Sequence, residues 1–314
     1  MSLIDHDSYR AFLERAAWFP ASLQWSRFTG THAAATLNGL VTNDVAALRD
    51  GDAQLAAVLT PKGKIVADLV IVRDAADVFR VAAPVAAAVK WMEIVRKYVN
   101  PRFCAVADES PQHESAMLVG PASDALAATA PASLLATRAP MLGTVPVVLL
   151  RWNTADAGVA SEWRDAAAIP SGAPEILDVI RVEAGMPAWG RDMDEATLPQ
   201  EANLGTLAAI SFAKGCYTGQ ETVARIHFRG HVNRQLRGLV AATPMHPGAA
   251  VMVAGIDGGE AKVVGSVTSA VVSPRFGPIA LAMLRREVEA GATVQTGHGG
   301  EFGTARVVVL PFTT

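Results

Sequence analysis

The chain has 314 residues, 51% of them hydrophobic, and a formal net charge of −3. That length accommodates two or three compact units with a substantial core, and the composition excludes global disorder. The small charge argues against a dedicated binder of nucleic acid or another polyanion, and the two cysteines, Cys104 and Cys216, lie too far apart in sequence to suggest a disulfide-stapled scaffold or a four-thiolate metal centre.

The N-terminus places Asp5 and Asp7 where a secretory leader wants basic and then apolar residues. No run reaches the ~20 apolar residues of a membrane span. The expected setting is cytoplasmic, with both thiols reduced. Leu23 to Phe28 alternates like a strand, and Thr31 to Leu40 has helical spacing, with Ala34, Leu37 and Leu40 on one side. Gln54 to Leu59 and Ile65 to Val72 are β-rich runs around the turn signal Thr60-Pro61-Lys62-Gly63. Val78 to Val81 reads as a strand, Pro84 to Tyr98 as a helix and Phe103 to Val106 as a strand, which together make a ferredoxin-like split unit.

A second copy of this plan follows. Ala116 to Val119 reads as a strand, Ser123 to Ala130 as a short helix, Val145 to Trp152 and Gly158 to Ala160 as strands, and Pro174 to Ala184 as helix and then linker. From about Asn233 short β runs (LRGLVA, AVMVAG, AKVVGSVTSAVVS, GPIALAML, ARVVVL) alternate with Gly and Pro, the texture of a small antiparallel barrel or sandwich. The expected division is an N-terminal segment 1–21 packing on the second domain, a ferredoxin-like domain 22–110, a second such domain 111–232 and a β-barrel domain 233–314.

The stretch KGCYTGQE, 214–221, holds the densest chemistry. Thr218 and Glu221 have the spacing of a capping box, which predicts a helix from Gly219 to about Arg229 with Gly230 as its stop. Cys216 then precedes the positive end of a helix, two residues from Lys214, and both effects favour thiolate, from ~8.5 toward the ~3.5–7.5 range of activated cysteines. The alternative is a small buried hydrophobe.

Three further features carry candidate chemistry. Asp68 lies in the apolar run KIVADLVIV, so it needs a partner or a raised pKa, unless it faces solvent at a sheet edge. Glu183, in RVEAGMPAWG, can accept two adjacent N–H donors from a heteroaromatic ring, or form an ordinary salt bridge with Arg181 or another Arg. From Thr222 to Ile256 there is no Asp or Glu, while Arg225, Arg229, Arg234, Arg237, His227 and His231 are present. That patch suits an anionic tail or acidic partner, and a solvated helix face equally well.

KGCYTGQE resembles the signature of the YgfZ family of folate-binding proteins, relatives of the glycine-cleavage T-protein (an aminomethyltransferase) and of mitochondrial iron–sulfur assembly factors. LNGLVTNDV (37–45), LTPKGKIVADL (59–69), RVEAGMPAWGRDMDEATLPQEANL (181–204), GSVTSAVVSP (265–274) and IALAMLRRE (279–287) resemble further family segments in the same order. The resemblance implies an α+β fold: a three-domain cloverleaf of two ferredoxin-like α/β halves and a C-terminal small antiparallel β-barrel, with a central folate channel. It aligns Asp68 with the second of two adjacent T-protein aspartates, the one held important for one-carbon transfer, and puts Ala67 at the first. It aligns Glu183 with a glutamate that binds the pterin edge.

The implied catalytic set is Cys216, Asp68, Lys214 and Tyr217. The implied set for tetrahydrofolate, or a one-carbon derivative of it, is Glu183, Asp68, Arg225, Arg229, Gln220 and Asn43. The added Cys moves the expected role toward folate-dependent support of iron–sulfur enzymes, tRNA-modifying ones included, with these enzymes or their assembly proteins as partners and neither membrane nor direct nucleic-acid binding. The alternative is a true folate-dependent aminomethyltransferase. A third reading is a folate-free docking protein that uses its Arg225–Arg237 segment.

Overall fold

A computed structural model describes residues 6–253, 261–299 and 301–313. The chain divides into two compact units, Met1–Leu177 with Gly205–Gln220, and Asp178–Leu204 with Glu221–Thr314. The second unit therefore begins well before residue 233, because Asp178–Leu204 groups with the barrel.

The first unit runs α1 (His6–Glu14), β1 (Ala17–Pro20), β2 (Leu23–Thr29), α2 (Ala33–Leu40), β3 (Ala53–Leu59), β4 (Ile65–Ala75), β5 (Val78–Pro84), α3 (Val85–Tyr98), β6 (Ala105–Asp108), β7 (His113–Val119), α4 (Ser123–Ala127), β8 (Leu135–Arg138), β9 (Val147–Asn153) and α5 (Ala157–Ala166). Strands β3-β4-β5-β2-β6 form one antiparallel sheet in that order. β4 is an interior strand, and its near-continuous apolar run is what burial on both faces demands. On α3, Ala87, Trp91 and Val95 repeat at four-residue spacing and are buried. The Trp91 ring lies 5.8 Å from that of Phe28, and its indole N–H donates to the Ser26 hydroxyl at 3.1 Å.

The other sheet of this unit has the order β1-β7-β9-β8. Trp18, Leu118, Leu150, Trp152 and Trp163 are among its core residues. Residues 158–160 are helical here, not a strand. The Asn153 side chain accepts from the Ala155 N–H just ahead of α5, and Ala160 and Trp163, three apart, then bury one helical face. The polar strand β8 was not expected at all, since its residues alternate weakly and are mostly exposed.

A partly buried ionic cluster ties the two sheets together. Arg80 on β5 bonds Asp74 and Glu109, Arg27 on β2 bonds Glu109 at 3.0 Å, and Arg151 on β9 reaches Asp74 at 3.4 Å. Arg151 is 4% exposed and lies over the Trp25 ring. Burial, with Arg80 nearby, pulls its pKa down to about 10.

In the second unit β10 (Arg234–Ala241), β11 (Ala250–Val253), β12 (Lys262–Ser273), β13 (Gly277–Arg285), β14 (Thr293–His298) and β15 (Glu301–Val308) close into an antiparallel barrel, β10-β13-β12-β11-β14-β15. β10 pairs with both β13 and β15, which leaves no open edge. Of the AVMVAG run, Ala254 and Gly255 lie outside the described residues, as do residues 1–5 of the N-terminal segment. Leu239, Val251, Val267, Leu284 and Val307 help fill the interior. Outside the barrel wall, Val182 of α6 (Pro174–Glu183) packs with Leu236, Ile279, Leu281 and Phe312.

The pairing of β12 with β13 shifts register between Val267 and Ser269. This bulge lets the Thr268 hydroxyl donate to Asp192, while Ser269 accepts from Arg181 at 2.9 Å. Arg181 also holds Asp178 and Asp192, so the segment after α6 is bound to the barrel by charge as well as by packing.

Candidate functional site

Asp68 lies on β4, opposite Ala57 of β3. The pairing of β4 with β5 begins two residues later, at Val70, so Asp68 is paired on the β3 side. It is half-buried overall, but Oδ1 is fully covered and has no hydrogen-bond partner among the described residues. Burial raises its pKa to about 6, opposed by a bond from its own backbone N–H. A carboxyl group left in this state serves stability poorly, which makes it a candidate for chemistry.

The segment 211–219 meets the turn that ends α2. The Lys214 ammonium donates to the carbonyl oxygens of Asn38, Val41 and Asn43 at 2.7, 2.7 and 2.8 Å, and lies over the Tyr217 ring at 5.0 Å. Burial pulls its pKa down to about 8, with Asp44 opposing. The carbonyl oxygens also favour the ammonium. All three ammonium protons are thus committed to backbone, so Lys214 has none to offer a thiolate or a folate, contrary to the catalytic role the resemblance implies. Tyr217 is 8% exposed, and burial pushes its pKa up to about 12, so its hydroxyl stays protonated near neutral pH.

Cys216 is exposed, which excludes the buried hydrophobe, whereas Cys104 is buried. Asn43 donates both amide hydrogens to backbone, to Leu55 O at 2.7 Å and Ala208 O at 2.8 Å, so its role is to brace a turn and not to contact a cofactor.

The helix after the motif, α7 (Gln220–Arg229), starts one residue later than the capping box predicts. Gly219 has φ +82, so it cannot be a first helical residue, and Thr218 lies one position too far out to be the N-cap. Added to Gly219, a Cβ would lie 2.6 Å from Thr60 O and 3.1 Å from Gly63 Cα. The glycine is there because the motif loop presses on the Thr60–Gly63 turn. Gln220 is half-buried, and its N–H donates to Tyr217 O at 3.2 Å.

In the second unit Glu183 is 6% exposed and accepts from the Ser273 hydroxyl. Ser273 accepts in turn from the N–H groups of Arg275 and Phe276, so it fixes both the carboxylate and the turn from β12 to β13. Ser273 escaped the sequence analysis, and its one signal is the Ser-Pro turn dipeptide. The Arg181 guanidinium is directed to Asp178 and Asp192. α7 buries Val223 and exposes Arg225, His227, Phe228 and Arg229. The basic patch is smaller than the sequence suggests, because Arg234 pairs with Glu201 at 3.1 Å.

Within the first unit a cavity of about 840 Å³ is bounded by β3 and the 138–147 segment, with Asn43, Gln54, Leu55, Arg138 and Leu207 among its lining. Asp68 and Cys216 do not line it. No described helix is long and apolar enough to cross a membrane.

Residues 9–151 match the GCVT N-terminal domain, and residues 234–313 match the glycine cleavage T-protein C-terminal barrel domain. An aminomethyltransferase of Bordetella petrii is 31% identical over 318 residues, covering 90% of this chain and 81% of that protein. One of Corynebacterium jeikeium is 27% identical, covering 91% and 84%. The crystal structure of glycine cleavage system aminomethyltransferase T from Bartonella henselae superimposes with a TM-score of 0.86 at 21% identity, over 98% of this chain and 89% of that one, a likeness of fold. Two domain matches in the family's order, together with relatives similar along most of their length, establish that the chain belongs to the glycine cleavage T-protein (aminomethyltransferase) family.

Proposed function

We propose that the protein binds a reduced folate and takes part in one-carbon transfer of the aminomethyl type. The observation that carries this reading is Asp68, a half-buried carboxyl group whose covered Oδ1 has no partner among the described residues. When ionised, such a group carries a poorly compensated charge, which a nitrogen base that becomes cationic beside its exposed part would offset. Bound reduced folate would supply the ring nitrogen that accepts the one-carbon unit. Asp68, ionised above pH 6, would stabilise positive charge developing there.

Within the second unit, Glu183, held by Ser273, is a carboxylate suited to accept paired N–H donors such as those of a pterin edge. The exposed Arg225 and Arg229 would attract an anionic glutamyl tail in a salt-dependent manner. This places aminomethyl transfer ahead of iron–sulfur support, the reverse of the order expected from the motif, because the named relatives are aminomethyltransferases.

The test is titration calorimetry with tetrahydrofolate. Glu183→Ala is expected to weaken binding about 10- to 100-fold, the loss of a charge-assisted bidentate contact. Equal affinities would remove Glu183 from the pterin role. Tetrahydrofolate-dependent ammonia release from an aminomethylated carrier then reports transfer itself.

A second reading, a YgfZ-like accessory factor for iron–sulfur proteins, is favoured by the exposure of Cys216 in its full motif. Tetrahydrofolate binding without ammonia release, together with loss of client-enzyme activity in a Cys216→Ala strain, would move it to first place.

A further inference from the structure

Lys214 is the most unusual of the polar groups outside the Asp68 site. It is 9% exposed, and its ammonium gives one hydrogen bond to each of three carbonyl oxygens. Asn38 belongs to the last turn of α2 and Val41 is its C-cap, so the cation lies at the negative end of that helix. The same turn receives the N–H of Thr218 at Gly39 O (3.2 Å) and the N–H of Ser211 at Thr42 O (3.0 Å). Thr42 completes the layer. Its hydroxyl donates to Ala209 O at 2.7 Å and accepts from Ala57 N–H at 2.8 Å, and its own N–H donates to Ala57 O at 2.9 Å. Ala57 is the cross-strand partner of Asp68.

We infer that Lys214 is a positioning residue whose ammonium clamps the 211–219 loop, and Cys216 with it, onto the turn that closes α2 and braces the strand pair carrying Asp68. The clamp works because these backbone oxygens converge on one point, where a single tetrahedral donor satisfies all three. An uncharged side chain of equal length leaves them without this donor, while the backbone bonds of Ser211 and Thr218, the Thr42 hydroxyl bond to Ala209 and the Asn43 amide bond to Ala208 remain. The charged neighbour it faces is Asp44 and the titratable one is Tyr217, which stays neutral. No ligand enters this argument, so it stands or falls apart from the folate reading.

The test is made on the whole protein by NMR. In the wild type, a lysine ammonium locked by three acceptors should give an exchange-protected ammonium signal at neutral pH, whereas exposed lysines do not; absence of any such signal overturns the inference. In Lys214→Met, amide exchange at Ser211 and Thr218 should accelerate about 10-fold or more, the loss of one to two hydrogen bonds' worth of local protection, with β7 and β9 amides changing less than about 3-fold. Lys214→Arg, which keeps the charge but presents a larger planar fork in place of a tetrahedral donor, should leave both amides exchanging at least about 3-fold faster than wild type. Unchanged exchange in the Met variant, acceleration spread equally into β7 and β9, or an Arg variant indistinguishable from wild type would each overturn it. Should the Met variant fail to fold, the wild-type signal and the Arg variant decide.

Discussion

Replacing Asp68 by Asn is expected to stabilise the protein above pH 6 and to abolish folate-dependent transfer. The folded-state pKa of about 6 exceeds the unfolded value of 3.8, so the native state binds more protons between those limits. Stability from this group is therefore greatest below pH 4, falls as pH rises through the window, and stays reduced above pH 6. The full penalty is about 3 kcal/mol by the linkage relation, an upper bound for a side chain that keeps some solvent contact. Asn removes that charge but buries an amide with an incomplete set of partners, at about 1–2 kcal/mol. The net expectation at pH 7.5 is a gain of about 1–2 kcal/mol, or roughly 2–6 °C in thermal midpoint, and no gain at pH 4. Transfer should fall by about 100-fold or more, as for other lost transition-state charge partners, and wild-type activity should decline as pH drops through 6. Midpoints at the two pH values, beside ammonia release, test both halves; a variant less stable at pH 7.5 that still turns over would refute the assignment.

Gly219→Ala is the second large effect, and here both function and stability should suffer. At φ +82 a Cβ costs about 1–2 kcal/mol, and the atoms it would meet at 2.6 and 3.1 Å are backbone atoms of Thr60 and Gly63, which cannot step aside as a side chain can. Adding the overpacking cost of about 1–3 kcal/mol gives about 2–5 kcal/mol. Gly215 in the same motif has open space around its would-be Cβ, so Gly215→Ala serves as the control, expected within about 1 kcal/mol of wild type. Thermal melts of the pair decide it, and similar losses in both would mean that the motif glycines act through chain flexibility and not through contact.

The parts of this molecule that were legible in its sequence are those that depend on local pattern. The apolar run of β4 and the helix expected over Pro84 to Tyr98 outlined the first sheet and its covering helix. The misplaced carboxyl of Asp68 could be seen because a charge in an apolar run is anomalous whatever surrounds it. What failed depended on distant partners. Lys214 looks like a surface cation beside a thiol, yet its acceptors lie about 170 positions earlier. Thr218 and Glu221 match a capping box, but contact with the Thr60–Gly63 turn sets the backbone at Gly219 and moves the helix start. Gly158 to Ala160 is too short for its period to distinguish strand from helix, and packing of Trp163 decides for helix.

The chain passes between its two units three times, after Leu177, Leu204 and Gln220. No single cut yields either unit whole. A fragment ending at Leu177 would lack Ala209, Ser211 and Lys214, and the α2 turn would lose every bond they make to it. Modular shuffling of these halves by gene fusion is therefore blocked, and during synthesis the first unit cannot be completed until most of the polypeptide has left the ribosome.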